Sequence, residues 1–441
     1  MNAPAPAQNP SRSPSARKEK SLLGVFAVAI LVWAVDFRVQ TGAHSAVALQ
    51  SAILAIYIAL FSRFIFSAHR LGVSAGPLWV LILACAAFLI ESSAVGLTMS
   101  QPFYLIVSNA VPTSIYVSAS VITYMTLASI KDDFLPFLNL LRLSCVVFAV
   151  ARVLVVAYTW RGGISLLTSR YELLSSAIIP SLAVVAMGLM QRLSMLDFIA
   201  LVVNLVIALA SVTRTLFVAL IAQVASVFLA RPSVAFRASA FKGLLVLSLA
   251  MLLLVVLDLS AGTGLTTRWI QRTTISRKLG ADPTALTRSA ETHFMLESFE
   301  SSEKNALFGS GLAALTSLTG PDAAQAVHLT DRNALIHSIG FGHEDYVSIL
   351  FVAGLVGGGG FLLILFLNGL QSISLIRRLE LEQVTAKESA AHIARWGALI
   401  VLGELTIGFL GPTLGDRDTC LWWGIGTGIL YWARSEFYPR R

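Results

Sequence analysis

Between about Ser260 and Gly360 the chain gathers the side chains best suited to chemistry. Arg268, Arg272, Arg277, Lys278, Arg288, Lys304 and Arg332 lie there with His293, His328, His337 and His343, four of the seven histidines. Arg214 sits in a Thr213-Arg214-Thr215 turn, and Arg161 and Arg170 share another polar turn. Arginine offers planar, permanently charged donors that hold phosphate in bidentate fashion. A histidine of near-neutral pKa can take a proton from a hydroxyl. Together these types suit an anionic phosphate ligand. Each also has a plainer reading. Arg288 could be a surface residue paired with Glu291 at i+3. Arg214 could snorkel to a membrane interface, and a histidine at such an interface is more often a polar end-cap than a catalyst.

Other chemistries find no support. There is no HExxH zinc pattern, no Walker loop and no GxGxxG after a strand. Asp132-Asp133 lacks surrounding globular sequence, which argues against nucleotide-sugar chemistry. Cys85, Cys145 and Cys420 are far apart and form no metal or disulfide spacing. No metal and no cofactor are expected.

What must position these groups is hydrophobic. Of 441 residues, 56% are hydrophobic and 13% charged, and mean hydropathy is +0.77; a soluble domain carries about 25% charged residues. The expectation is an all-α, polytopic membrane protein. Runs of about 20 apolar residues place about twelve spans, near 21–36, 45–63, 77–97, 112–130, 137–158, 173–190, 195–211, 214–230, 243–259, 346–370, 393–411 and 419–433. Pro112 marks a break before the fourth. Residues 1–20 read as a disordered basic tail, 21–259 as spans one to nine, 260–345 as one large loop, 346–433 as the last three spans, and 434–441 as a second tail.

Predicted inner loops hold Arg63, Arg70, Lys131, Arg192, Arg231, Arg237, Lys242, Arg377, Arg378 and Lys387. The positive-inside rule then puts both termini in the cytoplasm and the large loop outside. The net charge of +8 reflects that orientation and not nucleic-acid binding. No inverted repeat is evident, which weighs against common secondary-transporter folds.

Inside the large loop, Asp282-Pro283 opens a helix running to about Ser302, as an N-cap followed by proline at the first helical position. Leu286, Ala290 and Phe294 form its apolar stripe, and Arg288 points away from it. Leu307-Phe308-Gly309-Ser310-Gly311 then makes a tight turn, and Gly354 to Gly360 allow close helix approach.

Three of these segments, in this order, resemble the bacterial O-antigen ligase and O-antigen polymerase superfamily. The Leu307–Gly311 turn after an Arg-bearing helix is similar to the family's "lFGxG" turn. His343, followed eleven residues later by Gly354-Leu355-Val356-Gly357, is similar to its His-Asn…Gly-Leu-x-Gly signature, and Thr213-Arg214-Thr215 to its Ser-Arg turn. The sequence departs where Glu344 replaces the usual Asn, Val352 a common acidic residue, and Thr213 a Ser.

The resemblance implies a metal-independent membrane glycosyltransferase that moves glycan from an undecaprenyl-pyrophosphate carrier to an acceptor hydroxyl, on a glycan or on lipid A-core, at the periplasmic face of the bacterial inner membrane. It implies His343 as general base, and Arg214 and Arg288, with Arg170 a weaker candidate, as pyrophosphate-binding residues. Glu344 would orient His343 or act as base in its place. Polymerase and ligase are nearly balanced, with a slight tilt to an O-antigen or exopolysaccharide polymerase. The competing classes are a transporter of lipid-linked or anionic solutes and a non-catalytic assembly subunit. A transporter predicts charges at mid-membrane; Asp36, Asp197, Asp258 and Glu404 fall near span ends, with Glu91 the main exception.

Overall fold

The computed structural model describes the chain outside 1–13, 36–43, 162–173, 231–251, 261–263, 271–282, 326–343, 382–387 and 439–441, and outside 71, 132, 175, 191–192, 212, 253–254, 257, 265, 268 and 412. Among the described residues the protein is helical, with no β-strand. In lipid, a helix meets all its backbone hydrogen bonds within itself, which is why long apolar runs take this form.

The helices that matter here are α1 (Pro14–Leu31), α2 (His44–Arg70), α3 (Trp79–Thr98), α4 (Phe103–Ser129), α5 (Leu135–Arg161), α6 (Ile178–Gly188), α7 (Met195–Ala210) and α8 (Thr215–Ala230). After them come α9 (Pro283–Glu300), α10 (Glu303–Phe308), α11 (Asp345–Ala353), a π-helical turn (Gly354–Gly359), α12 (Gly360–Leu381), α13 (Glu388–Gly408) and α14 (Arg417–Phe437). Among the described residues six stretches are long and apolar enough to cross a membrane: Ala48–Arg70, Gly76–Thr98, Phe103–Ser129, Leu135–Tyr158, Asp345–Glu380 and Glu388–Gly408. Four more apolar helices are shorter, among them Ile178–Gly188 and Thr215–Ala230. This makes a helical membrane protein, with six stretches of full spanning length among the described residues where the sequence led us to expect about twelve.

Two of the departures from the expected boundaries have a local cause. α1 begins at Pro14, inside the stretch read as a tail, because proline suits a first helical position and Ala-Arg-Lys-Glu-Lys are good helix formers. Pro112 does not break α4 but lies buried within it; neighbouring helices make such a proline tolerable.

α13 is the centre, packed by α14, α12, α8, α6 and α5. α14 lies tightly on α4 because Gly424 and Gly428 are one turn apart, and a Cβ at either would overlap the Tyr116 or Ser120 carbonyl of α4. Tyr116 and Thr427 hydroxyls meet at 3.2 Å across that seam, and the Trp396 indole donates to the Pro180 carbonyl at 2.7 Å.

Buried polar contacts fix which helix ends lie together. Arg142 of α5 binds Asp197 of α7, and His392 of α13 approaches the same carboxylate at 3.9 Å, so these three helices start at one end. α8 reverses direction after the 211–214 turn and therefore runs antiparallel to α13. Its Gln223 donates to the Leu399 carbonyl at 3.0 Å. Arg214, nine residues earlier at about 1.5 Å each, lies level with the last turn of α13. Asp345, at the start of α11, binds the loop after α13, so it belongs to that end too.

Candidate functional site

This second end is where the polar excursion folds back onto the bundle. α9 lies between two layers. On one side Thr319 and Thr316 of the 311–323 segment meet it: the Thr319 amide donates to the Ala290 carbonyl at 3.1 Å and the Thr316 hydroxyl to Glu291 at 2.9 Å. On the other side lies α11, with Phe294 and Phe351 rings 6.0 Å apart. The expected stripe is therefore divided. Leu286 and Ala290 join a small cluster with Leu318 and Ala323, while Phe294 packs on the main core.

The Leu307–Gly311 turn and the Gly354–Gly357 segment interlock. Gly309 (φ +71°) and Gly354 (φ +58°) both adopt left-handed backbone, which favours glycine. A Cβ on Gly309 would lie 2.5 Å from the Ala353 nitrogen, and one on Gly354 would overlap the Leu307 carbonyl. Backbone bonds tie the two: Ser310 donates to Phe351 at 2.7 Å and Gly311 to Val352 at 3.0 Å. The turn is then clamped to α3 and α4. The Gln101 amide donates to the Ser310 carbonyl and accepts from Ala313, and Asn109 donates to the Leu312 carbonyl at 2.9 Å. Glu91 of α3 reaches the π turn, where a Cβ on Gly357 would strike its carboxylate.

Glu344 precedes α11 and is half-buried; its carboxylate accepts a hydrogen bond from Thr292 of α9 at 3.1 Å. Burial pushes its pKa above the ordinary carboxylate value, opposed in part by the Thr292 bond. Arg288 lies one helical turn before Thr292, so both share a face of α9. It is half-buried, and Glu291 is 1% exposed. A solvated surface pair between them is therefore not what forms.

Arg214 is exposed in the turn before α8, where the Ser211 hydroxyl donates to Thr213 at 3.1 Å. The structure thus places Arg214, Arg288 and Glu344 at one end, with Glu344 held against the helix of Arg288. Arg214 precedes α8, a helix packed chiefly on α13, α6 and α12. His343 and Arg170 lie outside the described residues.

Two acidic residues play a larger part than their spacing suggested. Asp345 is fully buried. Its Oδ2 accepts from the Thr413 amide at 2.8 Å, the Leu414 amide at 3.0 Å and the Thr413 hydroxyl. Glu404, placed by sequence near a span end, is fully buried inside α13. Among the described residues no group of three or more His, Cys, Asp or Glu could hold a metal. A recess of about 680 Å³ lies elsewhere, lined by Gln371, Tyr431, Arg434 and Tyr438 among others; none of its described lining residues is a carboxylate or a histidine. No protein-family model matches this chain, and no match is found among curated proteins.

Proposed function

We propose that the chain is a membrane glycosyltransferase of the O-antigen ligase and polymerase type, embedded by about twelve spans in the bacterial inner membrane with both termini cytoplasmic. The observation that carries this reading is the interlock of Leu307–Gly311 with Gly354–Gly357 beside Glu344 and the Arg288 helix. The two segments that resemble the family's motifs are separate in sequence yet make one unit.

In this reading a lipid-linked pyrophosphate donor sits at the end bearing Arg214 and Arg288. The acceptor O–H gives its proton to His343, or to Glu344 in its place. The oxygen bonds to the anomeric carbon as the bond to the carrier pyrophosphate breaks. The arginines meet the charge that develops on the leaving group, the term that contributes most in such transfers; the base adds about 10²–10⁴-fold. Burial raises the pKa of Glu344, which makes its carboxylate a stronger base than an ordinary one. Polymerase of an O-antigen or exopolysaccharide is slightly favoured over ligase. The buried Glu404 and Asp345 favour a second reading, a transporter of lipid-linked or anionic solutes, because that class keeps charges inside the bundle.

The test is the lipid-linked glycan profile of a strain lacking the gene, complemented with wild type, His343→Ala, Glu344→Gln or Arg288→Ala. Single carrier-linked repeats in the null and in the variants mark a polymerase. Long carrier-linked chains beside unsubstituted acceptor mark a ligase. Repeats trapped on the inner leaflet mark a transporter and overturn the catalytic reading.

A further inference from the structure

The start of α11 rests on α13. The Tyr346 hydroxyl donates to the Leu405 carbonyl, and a Cβ on Gly408 would sit 3.3 Å from Asp345 Oδ2. Glu404 is one turn before Gly408 on the same face of α13, and its carboxyl lies near enough to Asp345 to feel that group's charge. Three oxygens there have no hydrogen-bond partner: Asp345 Oδ1 and both oxygens of Glu404. Both side chains are 0% exposed. The Oδ2 of Asp345 already takes three donors, so it is the atom that carries negative charge comfortably.

Two carboxylates cannot bond to each other, and two adjacent charges in an apolar interior repel strongly. One proton resolves both problems, because a neutral acid donates to the neighbouring carboxylate. Nor does a cation do so from the described side chains. α6 and α8, which pack on α13, have no titratable residue (Ile178–Gly188 and Thr215–Ala230). Glu344 and Tyr346 are the titratable neighbours on the α11 side, and Asp416 lies in the loop. α14 brings Arg417 and the Arg152-bound Asp418, and α9 brings Arg288; none of these cations pairs with Asp345 or Glu404.

We propose that Asp345 and Glu404 form a proton-binding site, in which the acid O–H of Glu404 donates to Asp345 Oδ1 and one proton is held between them. This site is separate from the transfer chemistry proposed above and stands whether or not that chemistry is correct. It fixes the start of α11, and so the position of Glu344, by a bond that exists only while the proton is present.

The test is infrared difference spectroscopy of the full chain in lipid nanodiscs, with H/D exchange, comparing wild type with Glu404→Gln. The wild type is expected to show the carbonyl stretch of an undissociated acid at neutral pH, missing in Glu404→Gln. That variant should melt within a few degrees of wild type, because an amide N–H also donates to Asp345. Glu404→Leu keeps the burial but removes the donor, and should melt lower than Glu404→Gln. Absence of an acid band that Glu404→Gln removes would overturn the proposal. So would a sodium-dependent rise in melting temperature lost in Glu404→Gln, which would assign the site to a metal cation.

Discussion

Asp197 and Asp345 invite comparison. Each stands in the first turn of a helix, each is fully buried, and each ties its helix to another part of the chain. Asp197 takes two bonds from Arg142, at 2.6 and 2.7 Å, and closes a capping box with Ser194; Asn139 accepts from the same arginine at 3.1 Å. Asp345 takes hydroxyl and amide donors on one oxygen and leaves the other without a hydrogen-bond partner. The first end is neutralised by a cation and closed. The second is left with demand for a proton. The same residue type therefore serves as a fastening where its charge is matched and as a chemically responsive group where it is not.

The strongest way to break the comparison is Asp197→Asn. It leaves Arg142 buried without its counter-charge and should cost about 3–5 kcal/mol. The double variant Arg142→Met/Asp197→Leu should recover most of that in thermal melts, since no charge remains to be matched. If the single and double variants are equally unstable, the pair is more than a neutralised fastening. Next in size is Gly354→Ala at the other end. Left-handed backbone and overlap with the Leu307 carbonyl together should cost about 3 kcal/mol, read as loss of monodisperse protein in size-exclusion chromatography. Gly359→Ala, with open space around it, is the control and should be near neutral. Smaller again is Asn109→Leu, which removes the donor to the buried Leu312 carbonyl and should lower stability by about 1–3 kcal/mol.

The smallest effect sharpens the contrast through pH. Burial raises the folded-state pKa of Glu344 above its unfolded value. Protonation therefore favours the folded state: this contribution is full below the unfolded pKa and is lost as pH rises through the folded one. Glu344→Gln should flatten the stability profile over that interval. Melting curves of the two proteins from acid to neutral pH check it, and an unchanged slope would mean that Glu344 is not the group responsible.

Much of the helical frame was legible in the sequence, because its elements announce themselves locally. Apolar runs bounded by turns gave 195–211 and 214–230, against Met195–Ala210 and Thr215–Ala230 in the structure. Asp282-Pro283 marked the start of α9. The glycine motifs signalled unusual backbone, though not that Gly309 and Gly354 would meet. The partner of Asp345 was hidden for a different reason. Glu404 is 59 residues away on a helix whose periodicity records only that its faces are apolar, so nothing local marks which face meets a carboxylate. Thr292 was equally silent: a threonine on an exposed-looking face carries no sign of the Glu344 it contacts.

The glycine run has one more consequence, which concerns length. A π-helical turn is an α-helix carrying a surplus residue, here within Gly354–Gly359. Removing one residue from it would shorten the connection between Gly354 and α12 by one position. Everything from Asp345 to Ala353 would then rotate about 100° and shift about 1.5 Å relative to α12. Asp345 would swing off the Thr413 loop and Gly354 would leave the Leu307 turn, although no contacting side chain had been altered. Around Gly359 and Gly360, where added methyl groups meet nothing within 4 Å, the chain is thus forgiving of what each residue is and strict about how many there are.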